Sequence, residues 1–291
     1  MFTVPLTYWA NFSLDDELAR RQTLREFADN GAKNLTLSEP VISKIMGDHT
    51  FAAAIRNEMA ECGLTFVDAH APFGGVLDMN CPDMDFRPQM LLRHKLALEI
   101  CASFGIGTIT IHPGSDRFFP EIPLEKHWDL MRDALDKLLP EAERLGIAVA
   151  IENSMSRAAS PSAVVMLKSE YPTDTLGLCF DSGHANVLDH GRNYSSGMAY
   201  DFWRKVGCEP EWDDRIIEKM LPQMISCHLH DNDGSTDSHS LPGCGNVDWK
   251  KIVPLLKRAP RLMVVQSEVC LAPRYSVKQL CAAFEKLSAI E

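Results

Sequence analysis

The chain has 291 residues, 45% of them hydrophobic, enough for one large domain or two small ones with a real core, and disorder is excluded as a description of the whole. Forty acidic against 29 basic side chains leave a net charge of -11, which repels phosphate backbones on average and removes any cheap argument for nucleic-acid binding. No apolar stretch approaches the ~20 residues that span a bilayer, and MFTVPLTYWANF lacks the order of a signal peptide, so a cytoplasmic protein with no membrane partner is expected.

Along the chain, short β-rich apolar runs alternate with amphipathic stretches, the pattern of repeated βα units on a parallel sheet. The predicted strands are FTVPLTYW from Phe2, NLTLS from Asn34, LTFVDAH from Leu64, GTITIHP from Gly107, IAVAIEN from Ile147, TLGLCFD from Thr175, MISCHLH from Met224 and LMVVQSEV from Leu262. Several are apolar almost throughout, as strands covered on both faces must be. Between them, Ala97, Ile100, Cys101 and Phe104 recur at helical spacing, as do Leu280, Ala283, Phe284 and Leu287. Ser13 with Asp16, Ser160 before Pro161, and Ser276 with Gln279 read as helix N-terminal caps.

Eight such units in 291 residues match an α/β fold built as a single (β/α)8 TIM barrel, typically ~250 residues long. A doubly wound open sheet is the alternative, but no GxGxxG follows the first strand. One domain over residues 1–291 is expected, with a long loop at about 187–212 that marks a lid or a subunit contact in a homo-oligomer. The nine cysteines contain no CxxC pair and read as reduced thiols in packing roles, including Cys179, Cys227 and Cys270 inside predicted strands.

The polar residues carry the chemistry. His70 ends the third strand, His112 the fourth, Glu152 the fifth and Asp181 the sixth, with His184 three residues on. His228 lies in the seventh strand, Glu268 near the end of the eighth, and Asp237 and His239 in the loop between them. In a barrel those ends converge on one rim. Taken singly, each is more often a satisfied hydrogen-bonding residue than a ligand. Together, several carboxylates in one pocket repel and desolvate one another unless protons or cations compensate, and a divalent metal is the simplest resolution. Mixed imidazole and carboxylate donors suit zinc, manganese, cobalt or iron; zinc or manganese is expected, with one to three ions. His49, His94, His127 and His190 fall off the rim. His230 and Asp231 read as partners orienting His228, with a direct role for His230 kept open; Tyr8, Trp9, Glu39 and Trp249 either line the pocket or simply pack.

The motifs DAHAPF, TIHPGS, AIENS, CFDSGHAN, CHLHDNDG, the D-x-H before LPGCGNVDW, and SEV resemble, in order and over most of the chain, the xylose isomerase-like TIM-barrel superfamily. That superfamily contains sugar and sugar-phosphate isomerases and epimerases together with the endonuclease IV branch. Resemblance to the ketose epimerases implies one metal at Glu152, Asp181, His228 and Glu268. Glu152 and Glu268 then serve as catalytic acid and base on a small carbohydrate, through an enediolate. It also implies His184 beside the substrate, and His70, His112, His230 and Trp9 are further candidate substrate contacts. Resemblance to endonuclease IV implies up to three ions, with His70, His112, His184, Asp237 and His239 added as ligands and an abasic-site phosphodiester as substrate. A related inosose-type dehydratase uses the same metal and base.

Two departures pull away from the nuclease. Phe73, Gly74 and Gly75 stand where DNA-inserting side chains are expected, and NLTLSEP lacks the basic and aromatic residues of a strand-separating loop. One departure pulls away from the epimerases, since Gly234 stands where an arginine is expected six residues beyond His228. The leading expectation is a metal-dependent sugar or sugar-phosphate isomerase or epimerase, with a small-molecule carbohydrate rather than nucleic acid as partner.

Overall fold

The computed structural model describes residues 1–10, 13–271 and 274–291. Eight parallel strands close into a barrel in sequence order: β1 (Leu6–Tyr8), β2 (Asn34–Leu37), β3 (Thr65–His70), β4 (Thr108–Ile111), β5 (Ala148–Glu152), β6 (Leu176–Asp181), β7 (Met224–Leu229) and β8 (Val265–Ser267). β1 pairs with both β2 and β8, so no edge strand remains. All eight predicted strands are present, each shorter than its apolar run at one end or both. One consequence is a correction: β8 ends at Ser267, so Cys270 lies beyond the strand, exposed rather than packed, while Cys179 and Cys227 are buried as expected.

The helices cover the barrel. In α4 (Arg87–Phe104) Ala97 and Cys101 are buried and Ile100 and Phe104 pack against the core; in α11 (Val277–Ser288) Leu280, Phe284 and Leu287 are buried. Ser160 accepts from the Ala163 amide at the start of α6 (Pro161–Glu170), and Ser276 with Gln279 forms a full capping box. The first cap differs: Asp16, not Ser13, caps α1 (Glu17–Asp29), and Ser13 instead accepts from the Asp16 amide. The predicted long loop at 187–212 is also corrected. It holds the end of α7 (Ser182–His190), a 3-10 turn at Gly191–Asn193 and α8 (Met198–Lys205), whose Phe202 and Trp203 are buried. Its apolar residues sit at helical spacing inside a glycine- and serine-rich stretch, and the breakers masked them.

Within the barrel, Ala148, Ala150 and Glu152 share one face of β5 by alternation. Ala150, Cys179 and Ile225 form a small cluster apart from the main core. Leu178 pairs with Met224 but Cys179 with Ser226, so Ile225 is the extra residue of a bulge. The next inward step on each of these strands is a site residue, and on β6 and β7 it brings Asp181 opposite His228.

Candidate metal centre

Glu152 sits at the middle of the rim, 3% exposed, with imidazoles on both of its oxygens. Oε2 lies 3.1 Å from His112 Nε2 and 3.7 Å from His70 Nε2. Oε1 lies 3.2 Å from His228 Nδ1 and 3.5 Å from His184 Nδ1. His228 Nδ1 is also 3.3 Å from Glu268 Oε2, and Glu152, Asp181, His228 and Glu268 each offer a ligand atom within 4.8 Å of the others. On the far side, Asp237 Oδ2 stands between His184 Nε2 at 3.3 Å and His239 Nε2 at 3.1 Å. All nine rim residues expected from the sequence therefore meet in one contiguous network.

Backbone carbonyls orient several of these rings. His70 Nδ1 donates to Ala71 O, His184 Nδ1 to Asn153 O and His239 Nδ1 to Glu268 O, at 2.9, 2.8 and 2.7 Å. Each bond fixes the orientation of its ring and leaves Nε2 facing a carboxylate, the side on which a metal ion would bind. His239 is the one non-glycine residue with positive φ among the described residues, at 45°; backbone strain of this kind clusters at functional sites.

Asp181 is shared. Oδ1 accepts from the His184 amide as the cap of α7, and Oδ2 lies 3.0 Å from His230 Nε2. His230 is fully buried and stacked on His239 at 3.9 Å, and a Cβ at Gly183 would lie 1.9 Å from its Cε1. The imidazole thus fills the space that glycine leaves, beside Asp181 and His239 rather than against His228.

The donor set fits a cation. His228 Nδ1 and Nε2, Glu152 Oε2 and Asp237 Oδ1 are buried without hydrogen-bond partners, although their neighbours stand at ion-pair distance. Lone pairs that converge without sharing protons well are costly unless a positive charge lies between them. The rim groups also stabilise one another's charged forms. Burial pushes the Glu152 carboxyl up, yet His228 and His112 outweigh it and hold it well below the usual carboxylate range. Burial pushes His184 down, and Asp181 and Asp237 override it to hold the imidazole well above its ordinary value. For His239, burial is likewise overcome by the Asp237 hydrogen bond, and the value rises to about 10.

Other expectations resolve more simply. Tyr8 packs between Phe27 and Phe284 in the core, and the Glu39 carboxylate accepts from Ser43 in α2 (Glu39–Gly47). Trp9 meets His70 edge-on at 5.4 Å. Asp231 does not orient His228: its carboxylate accepts from the amides of Gly243 and Val247 and from Trp249 Nε1, so both Asp231 and Trp249 fasten the loop after β7. His94 bonds Leu77 O and His127 bonds Asn80, away from the rim. At Gly234 a Cβ would meet His190 Cβ at 2.7 Å, which leaves no room there for an arginine.

Sequence reasoning missed three participants. Asp78 is buried 4.0 Å from His112 Nδ1, and burial raises its pKa. Asn153 ties β5 to β6 by accepting from the Asp181 amide at 2.8 Å. Arg117, with Phe118 and Phe202, walls a cleft of about 270 Å³ that opens on Glu152, His112, His184 and Asp237. For Asn153 the adjacency to Glu152 was the available signal; Asp78 closes one short 3-10 turn and Arg117 lies in another, too short for any periodicity to point to them.

Residues 26–267 match the family described as xylose isomerase-like TIM barrel. The chain belongs to this family. An uncharacterised protein of Methanocaldococcus jannaschii is 25% identical over 197 residues, 65% of this chain and 59% of that protein. The probable endonuclease 4 of Geobacter sulfurreducens is 25% identical over 206 residues, 67% of this chain and 64% of that protein. The chain spans about three fifths of the length of these curated relatives. Among solved structures, the E. coli 3-keto-D-glucoside 4-epimerase has a TM-score of 0.70 at 13% identity, over 98% of this chain and 99% of that one. The IolI protein with a bound zinc atom has a TM-score of 0.68 at 16% identity, over 98% and 96%. At those identities the likeness to solved structures is one of fold. Among the described residues, His, Asp and Glu clusters at the rim could hold a metal. No described helix is long and apolar enough to cross a membrane.

Proposed function

We propose that this chain is a divalent-metal-dependent isomerase or epimerase of a small sugar or sugar phosphate. The observation that carries this reading is the cleft beside Glu152. Its cavity, about 270 Å³, has room for a small molecule, and Phe73, Phe118 and Phe202 wall it while Glu152, His112 and His184 stand in its lining. Neighbours of like fold include a D-tagatose 3-epimerase-like protein and a D-psicose 3-epimerase.

Glu152, Asp181, His228 and Glu268 are the residues that would hold the ion. When bound, a zinc or manganese ion supplies Lewis-acid charge that lowers the cost of an enediolate. The chain's own residues do the rest. Glu152 and Glu268 both stand at His228 Nδ1, and one carboxylate removes the proton next to a carbonyl while the other returns a proton. His184 and His112 border the cleft, where they bind hydroxyls and orient the sugar. The aromatic walls exclude water from the reacting carbon.

A second reading, an abasic-site phosphodiesterase, is favoured by one observation: Asp237 joins His184 and His239 and so completes a nine-residue set. Its relatives named probable endonuclease 4 support it too. The experiment separates the two. Zinc- or manganese-loaded protein is incubated in deuterated water with ketoses, their phosphates and inososes, and in parallel with an abasic duplex. Deuterium at a carbon next to the carbonyl is expected for at least one sugar; its absence across the panel, with salt-sensitive nicking of the duplex that Glu152→Gln abolishes, would establish the hydrolytic reading instead.

A further inference from the structure

We infer that the substrate of this cleft carries an anionic group, a phosphate ester or a carboxylate, and that Arg117 binds it at the cleft wall. The inference rests on the small-carbohydrate reading above and narrows it to charged sugars. It starts from an inventory of charge. The cleft lining contains three carboxylates, Asp78, Glu152 and Asp237, and one permanently charged cation, Arg117.

Other half-buried or buried arginines of the molecule are paired with acids: Arg20 with Glu58, Arg87 with Asp133 and Arg157 with Asp116. Arg117 is not. Its sequence neighbour Asp116 is buried and turned to Arg157 Nε at 3.0 Å, and among the described residues no carboxylate lies within 4.0 Å of the Arg117 guanidinium. The group instead lies over the ring of Phe202 at 4.0 Å and that of Phe118 at 4.8 Å, both of which also line the cleft. Burial pushes its pKa down, as expected of a cation that has lost water without gaining a counter-ion.

Stacking fixes the guanidinium by its faces and leaves its N–H edge as a fork, which matches two oxygens of a phosphate or carboxylate. The base beneath it is rigid. Gly114 has φ +110°, and a Cβ there would lie 2.0 Å from Asn80 Oδ1, so the loop after β4 is seated where only glycine fits. Ser115 Oγ then accepts from the Arg117 amide at 3.3 Å. A neutral sugar makes no use of a cation held this way, whereas an anionic one pairs with it and offsets its desolvation.

The test is calorimetric binding to zinc-loaded protein of D-fructose and D-tagatose, their 6-phosphates and the corresponding 2-keto uronates. At least one anionic series is expected to bind tenfold or more tightly than its neutral parent, and the series that does so tells phosphate from carboxylate. In Arg117→Met that ratio should fall to about one, and in Arg117→Lys, which keeps charge but loses the fork, to an intermediate value. Equal affinity for neutral and anionic sugars, an anionic advantage that survives Arg117→Met, or no anionic sugar binding at all overturns the inference. So does Arg117-dependent binding of an abasic duplex without binding of any anionic sugar. Anionic sugars that bind through Arg117 but exchange no carbon-bound proton leave this inference standing and count against the isomerase reading alone.

Discussion

Glu152 touches four imidazoles, so its removal disturbs both the ligand set and the proposed proton transfer. Glu152→Gln should lower deuterium exchange into substrate by about 10²–10⁴-fold, the range of general acid–base catalysis, as read by mass spectrometry. His230 acts one step back. It holds Asp181 Oδ2, and His230→Ala should weaken zinc on the order of 10–100-fold in a chelator competition while the barrel still folds. The protonation of the rim makes a third prediction. Since His239 rises from 6.5 to about 10 in the folded chain, its pairing with Asp237 stabilises fully below pH 6.5 and is lost as pH climbs through about 10. In chelator-treated protein, the Tm difference between wild type and His239→Asn should therefore be largest below pH 6.5 and close toward pH 10. A difference that grows with pH would contradict this assignment.

At the scale of elements, the contact between β6 and β7 is tightly fitted. A Cβ at Gly177 would lie 2.6 Å from Ile225 Cγ1 and Cγ2, the residue that the bulge turns into the barrel. Gly177→Ala should cost about 1–3 kcal/mol by overpacking and lower Tm by several degrees, measured by calorimetry. Elements of this kind were legible to different depths. The strands could be read because a sheet covered on both faces needs continuous apolar runs, and the strand ends because a polar residue closing such a run has nowhere to go but the rim. Ser160 and Ser276 were legible from local spacing alone. The helix α8 was not, since Gly197 and two serines precede it and its packing on the barrel, through Phe202 and Trp203, is long-range. Asp231 was misread for a related reason: its partners lie 12 to 18 residues downstream, in a loop whose path no pattern encodes.

For the whole molecule, closure of the barrel is what turns scattered polar residues into a centre. His70 and Glu268 come from opposite ends of the sequence, yet both lie within reach of His228. Closure crowds carboxylates that an extended sheet would keep apart, and imidazolium groups or a bound cation would offset their repulsion. The most direct test is elemental analysis of metal-replete protein after exhaustive dialysis against metal-free buffer. At least one zinc or manganese ion per chain is predicted, falling below one in ten chains in an Asp181→Asn, His228→Ala double variant. A folded wild-type protein that retains no divalent ion under these conditions would contradict the account.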